Sequence, residues 1–112
     1  MNKPVQIIPK TYDFILWIIE KINKFPRSQK FVLGDRIEHY LLDILDMLIE
    51  AQYSKEKVAI LRLANLKLEK IRYLIRISKD LRYIDLKAYE FSASSVNEIG
   101  KMLGGWLKSL NV

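Results

Sequence analysis

The side chains of this chain are best suited to holding phosphate. Arg62, Arg72, Arg76 and Lys79 lie on one stretch, Lys55 to Arg82, that carries nine Lys or Arg against three acids. Nine against three leaves +6, the formal charge of the whole 112-residue chain. Several Lys and Arg acting together release counterions from a nucleic acid and bind it with little regard to base sequence. The arginine fork adds paired contacts to phosphate oxygens. Tyr73, beside Arg72 and Arg76, could stack on an unpaired base; its competing use is packing. The plainer account of the same charges is a solvated helix face with i, i+4 pairing to Glu69 and Asp80.

Other chemistry finds little support. His39 is the single histidine and stands among acids without a ligand partner. Glu38, Asp43 and Asp46 invite a carboxylate-bridged metal site, but such a bundle site needs Glu-x-x-His pairs on two helices, and none is present. There is no cysteine, hence no disulfide, thiolate nucleophile or Cys-based metal site. Ser92, Ser94 and Ser95 have no base to activate them. No phosphate-binding loop, dinucleotide fingerprint or nucleophile elbow occurs. The expectation is a protein that is not an enzyme and that needs no cofactor or metal.

Helices must position these groups. The stretch 55–82 has no Pro or Gly and predicts a helix about 40 Å long. Ile60, Leu63, Ala64, Ile71, Leu74, Ile75, Ser78 and Leu81 give it an apolar stripe, on which Lys67 is an anomaly. Leu66, Tyr73 and Ile77 form a further apolar group, as expected of a helix covered on more than one side. Before it, Pro4 and Pro9 mark residues 1–10 as an irregular arm. A helix over 11–24 follows, with Ile15, Ile18, Ile19 and Ile22 inward and Phe14 and Trp17 widening its apolar surface. Pro26 breaks the pattern, and Ser28 can cap a helix over 29–52 with Ile37, Leu41, Ile44, Leu45 and Leu48 inward. Gly34 is a weak spot or a close-packing spot. This second helix is acidic, so it and the basic helix should be antiparallel neighbours of opposite charge. Ser54 is the candidate cap of the basic helix, and Asp85 that of a last helix over 86–109. Ile99, Met102, Leu103, Trp106, Leu107 and Leu110 are its stripe, and Gly100, Gly104 and Gly105 suggest close approach of another backbone, the alternative being a loosely wound C-terminal end. Four helices with short connections predict one all-α domain, an antiparallel up-down-up-down four-helix bundle over 1–112. No apolar run spans a membrane, and Met1-Asn2-Lys3-Pro4 lacks the features of a signal peptide. The expected location is the cytoplasm.

Three blocks resemble a known family: Phe25-Pro26-Arg27-Ser28-Gln29-Lys30-Phe31-Val32-Leu33-Gly34-Asp35-Arg36-Ile37, then Leu63 to Arg76 (LANLKLEKIRYLIR), then Asn97 to Ser109 (NEIGKMLGGWLKS). Together they are similar to the accessory variability determinant (Avd) proteins of diversity-generating retroelements. Those belong with the four-helix-bundle proteins encoded in intervening sequences of bacterial 23S ribosomal RNA genes. The resemblance implies a noncatalytic, basic accessory protein that forms a ring-shaped homo-oligomer, a pentamer. It implies binding of RNA and DNA and association with a reverse transcriptase that copies a template RNA with errors. Arg72 and Arg76 match the family's arginine pair. With Arg62, Lys79, Lys55, Arg27 and Lys30 they are the candidates for nucleic-acid or reverse-transcriptase contact. Leu66, Tyr73, Ile77, Gly104 and Trp106 are the candidate oligomer interface, and no membrane partner is expected. The alternative within the superfamily is a structural or interaction protein of the intervening-sequence branch, without a reverse transcriptase. The acidic second helix departs from a uniformly basic surface.

Overall fold

The computed structural model describes residues 3–110, with side chains from residue 6 onward. Four long helices carry it: α1 (Lys3–Ile22), α2 (Asp35–Tyr53), α3 (Lys57–Asp80) and α4 (Leu86–Ser109). A helical turn, Arg27–Gln29, and a π-helical segment, Lys30–Gly34, lead into α2. The described residues include no strand. Each long helix packs on its neighbours in the chain, and α1 closes the cycle against α4. Residues 54–56 and 81–85 are too short to run back along a helix, so α2, α3 and α4 alternate in direction. The body measures 43 × 23 × 19 Å. No helix among the described residues is long and apolar enough to cross a membrane.

The core selects one apolar line from each helix. On α2 it takes Ile37, Leu41, Ile44, Leu48 and Ala51; on α4, Ala88, Ser92, Ser95, Val96, Ile99, Leu103 and Trp106. On α3 the buried line is Leu61, Ala64, Leu68, Ile71, Ile75 and Ser78. This corrects the stripe expected there: Leu63 and Leu81 are exposed, while Leu61 and Leu68 are fully buried. The buried set alternates steps of three and four, which keeps it facing the bundle axis over about five turns; the stripe through Leu63 drifts off that axis. Lys67 is therefore not a core residue. Its ammonium lies 3.4 Å from Asp43 and 4.8 Å from the centre of the Tyr40 ring, closing the α2–α3 seam from outside. Ser78 and Ser92 satisfy their hydroxyls on the carbonyls of Leu74 and Ala88, four residues back.

The irregular arm expected over 1–10 is corrected: α1 already runs through Pro4 and Pro9. Pro4 lies in the first turn, where a backbone donor has no partner to lose. Pro9 does forgo a helical hydrogen bond, but Ile7 and Thr11 beside it are fully buried, and that packing holds the turn. The caps also shift. Ser28 lies inside the short turn begun by Pro26, and no side chain caps it. The Ser54 hydroxyl accepts from the amide of Glu56 at 2.9 Å, making a local turn, and α3 starts three residues later without a side-chain cap. Lys57 instead donates to the carbonyls of Ala51 and Gln52, at 2.7 and 3.1 Å, and so satisfies the end of α2. Asp85 does cap α4, accepting from the amide of Ala88 at 2.8 Å. At the end of α3, Arg82 adopts a left-handed conformation (φ 66°). The amide of Tyr83 then reaches the carbonyl of Ser78, the pattern of a Schellman stop.

Candidate nucleic-acid interface

The basic residues of α3 divide by position. Helical phase sets Arg72 and Arg76 on adjacent turns of the side facing α4. There Glu69, Arg72, Tyr73 and Arg76 face Tyr89, Ala93 and Asn97 across a cleft of about 260 Å³. Polar side chains rim this cleft, while Ile75 and Val96 reach it from the core.

The two arginines are held differently. The Arg72 side chain is only one-third exposed. Its Nε donates to Glu69 Oε2 at 3.0 Å, and its Nη1 donates to Asn97 Oδ1 on α4. Its other terminal nitrogen lies where a side chain on Gly100 would begin: a Cβ there would stand 3.2 Å from Nη2. Gly100 thus makes room for a guanidinium that ties α3 to α4. Arg76, by contrast, is two-thirds exposed, with Asp80 only at 4.0 Å. Its fork is free to meet a phosphate. One turn on, the Lys79 ammonium lies 4.9 Å from the Tyr89 ring centre and 3.5 Å from Asp80. Tyr73 is 67% exposed, so its ring is not consumed by packing within the chain.

The remaining candidates lie elsewhere. Arg62 is exposed near the start of α3, and Lys55 is exposed in the turn before it, toward the opposite end of the bundle from Lys79. Arg27 and Lys30 belong to the connection between α1 and α2, at the Lys79 end but across the bundle from the cleft. The structure therefore gathers Arg72, Arg76, Lys79 and Tyr73, and leaves Arg62, Lys55, Arg27 and Lys30 outside that group. Tyr89 and Asn97 complete the cleft and were not singled out from the sequence. Each follows a buried residue of α4 by one position (Ala88, Val96), which places it on the flank of the buried line. The tie of Arg72 to Glu69 follows from i, i+3 spacing; its tie to Asn97 has no sequence signal.

Of the residues expected at an oligomer interface, Leu66, Tyr73 and Ile77 are exposed, at 51%, 67% and 44%. They follow one another along α3 at steps of seven and four, a single line. Gly104 is exposed, and a Cβ built on it would meet nothing within 4 Å. Trp106 is a correction: it is 4% exposed, packed into the chain's own core because it continues the line of Ile99 and Leu103. His39 Nδ1 donates to the Asp35 carbonyl, 2.8 Å away, within its own helix. Burial, then the Asp35 carboxylate, raises Glu38 above the ordinary glutamate range, with His39 opposing. Among the described residues, no group of three His, Asp or Glu is placed to hold a metal ion.

The architecture has a solved counterpart. It is similar to the crystal structure, at 1.70 Å resolution, of a protein with unknown function from the S23 ribosomal protein family of Bacteroides thetaiotaomicron. The TM-score is 0.85 at 22% identity, covering 95% of this chain and 98% of that one. No curated protein matches the chain. At that identity the likeness speaks for the fold, and the sequence itself supplies the rest: the profile described as bAvd-like matches residues 6–110, and the chain belongs to the bAvd-like family.

Proposed function

We propose that this protein is a noncatalytic, nucleic-acid-binding accessory subunit of a diversity-generating retroelement. In this role it holds template RNA or its cDNA and binds the reverse transcriptase that copies it. One observation carries the reading: in a chain of this family, Arg76 opens its fork on the α3–α4 cleft, and Lys79, one turn on, lies over the Tyr89 ring at the cleft's edge. That combination suits a phosphate backbone. Arg72 acts mainly as the strut that fixes the cleft. The exposed line Leu66, Tyr73 and Ile77, with Gly104, supports assembly into a homo-oligomer, a pentameric ring. A ring multiplies each weak phosphate contact, so affinity rises by avidity.

The test measures RNA binding against salt. Affinity should fall steeply with salt, and Arg76→Ala with Lys79→Ala should weaken binding and flatten the slope by about two phosphate contacts. Co-purification with the reverse transcriptase encoded at the same locus should depend on the folded protein. An unchanged salt slope in the double variant would remove the site assignment. A locus holding a ribosomal RNA operon, with no reverse transcriptase, would leave the intervening-sequence branch as the reading.

A further inference from the structure

On the other side of α4, against α1, lies a second basic groove. Trp17, Lys21, Asp85, Lys87, Ala88 and Phe91 line a hollow of about 270 Å³. An adjoining hollow of about 180 Å³ shares Lys21, Asp85 and Ala88 with it and adds Lys24 and Tyr83. The two make one trough. Trp17 and Phe91 form its wall, ring centres 4.5 Å apart and tilted by 44°. Phe91 is 47% exposed, unusual for a phenylalanine beside a core that could have taken it. Lys21 lies 5.3 Å from the Trp17 ring centre. Lys24 and Lys87 are exposed, and no ion pair holds either of them among the described residues. The one acid in the lining, Asp85, has Oδ1 engaged by the amide of Ala88. The first turn of α4 also points its positive end here.

We infer that the α1–α4 trough is a second contact for single-stranded nucleic acid, with Lys21, Lys24 and Lys87 on the phosphates and Phe91 and Trp17 as the stacking wall. The inference rests on the nucleic-acid reading above and adds a separate surface to it. Three cations spaced along a trough follow a backbone, and aromatic rings beside them accept bases of any identity. A duplex hides its base faces and offers this wall nothing, so the groove distinguishes unpaired from paired strands. It lies on the opposite flank of α4 from the Arg76 cleft, so one strand can pass across the Lys79–Lys87 end of the bundle and touch both.

The tryptophans allow a direct test. The chain has two, Trp17 and Trp106, and Trp106 is buried. Titration of the full protein with a mixed-sequence RNA 20-mer should quench tryptophan emission, and the same strand annealed to its complement should not. Trp17→Phe should abolish the quench and weaken binding by no more than a few-fold, because a ring and the three lysines remain. Lys24→Glu with Lys87→Glu, both at exposed positions, should weaken the single strand by about tenfold and leave the melting temperature within a few degrees. Binding that is lost with Arg76→Ala and Lys79→Ala, yet shows no quench and no change with Lys24→Glu and Lys87→Glu, would overturn the trough and keep the cleft. Absence of RNA binding at low salt in the unaltered protein would overturn both.

Discussion

Two arginines one turn apart do different work. Arg72 is tied on both helices, so Arg72→Ala removes bonds to Glu69 and Asn97 and exchanges them for water. A loss of about 1 kcal/mol in chemical denaturation is expected. Arg76→Ala loses only a long, exposed pairing and should cost about 0.5 kcal/mol or less; under the proposed function it should weaken RNA binding more than Arg72→Ala does. Measuring stability and binding on both variants separates the strut from the contact. Gly34 carries a sharper constraint. A Cβ there would stand 2.6 Å from Cγ2 of Ile22, a β-branched side chain that is itself 1% exposed and cannot swing aside. Gly34→Ala should therefore destabilise by about 1–3 kcal/mol, read as a lower denaturation midpoint, despite alanine's higher helix propensity.

The helices end by different devices, and these test separately. Arg82 pays for the Schellman stop with a left-handed backbone that side chains resist by about 1 kcal/mol. Arg82→Gly should relieve that strain and raise stability by several tenths of a kcal/mol, seen as a higher midpoint with an unchanged slope. The same elements show what the sequence made legible. Ile37, Leu41, Ile44 and Leu48 stand out because Asp35, Glu38, Asp43, Asp46 and Glu50 mark the other faces of α2, even though Leu42 and Ile49 are exposed there. On α3 apolar residues occupy several faces, and periodicity could not choose between the line through Leu63 and the line through Leu61 and Leu68; contact with both neighbours chose. Pro9 misled because proline usually ends a helix, and its local cost is overridden here by burial of Ile7. For the cleft, charge spacing brought out Arg72, Arg76 and Lys79. Tyr89 and Asn97 were invisible because which flank of α4 faces α3 is a property of packing, not of spacing.

At the scale of the whole molecule, the exposed line Leu66, Tyr73 and Ile77 is one apolar feature that a single copy leaves uncovered. Light scattering at low and high salt should give a mass near five times the 13.2 kDa chain; a monomer or dimer would remove the avidity argument. Gly104 sharpens this. A methyl group there meets only open space within the chain, so Gly104→Ala should raise the stability of an isolated copy by up to about 1 kcal/mol. If another copy's backbone rests on Gly104, the same change lowers the mass in solution; a more stable protein of unaltered mass would release Gly104 from the interface. The closure of α1 on α4 has its own consequence. Lys10 and Glu98, 2.9 Å apart, join segments separated by most of the chain, whereas α2 and α3 meet across a three-residue turn. The entropic toll of loop closure rises with the length of chain enclosed. The hairpin of α2 and α3 is therefore expected to assemble early, and the seam between α1 and α4 to close last in folding. Trp17 sits in that seam against Phe91, so in stopped-flow refolding its emission should report that closure as the latest phase.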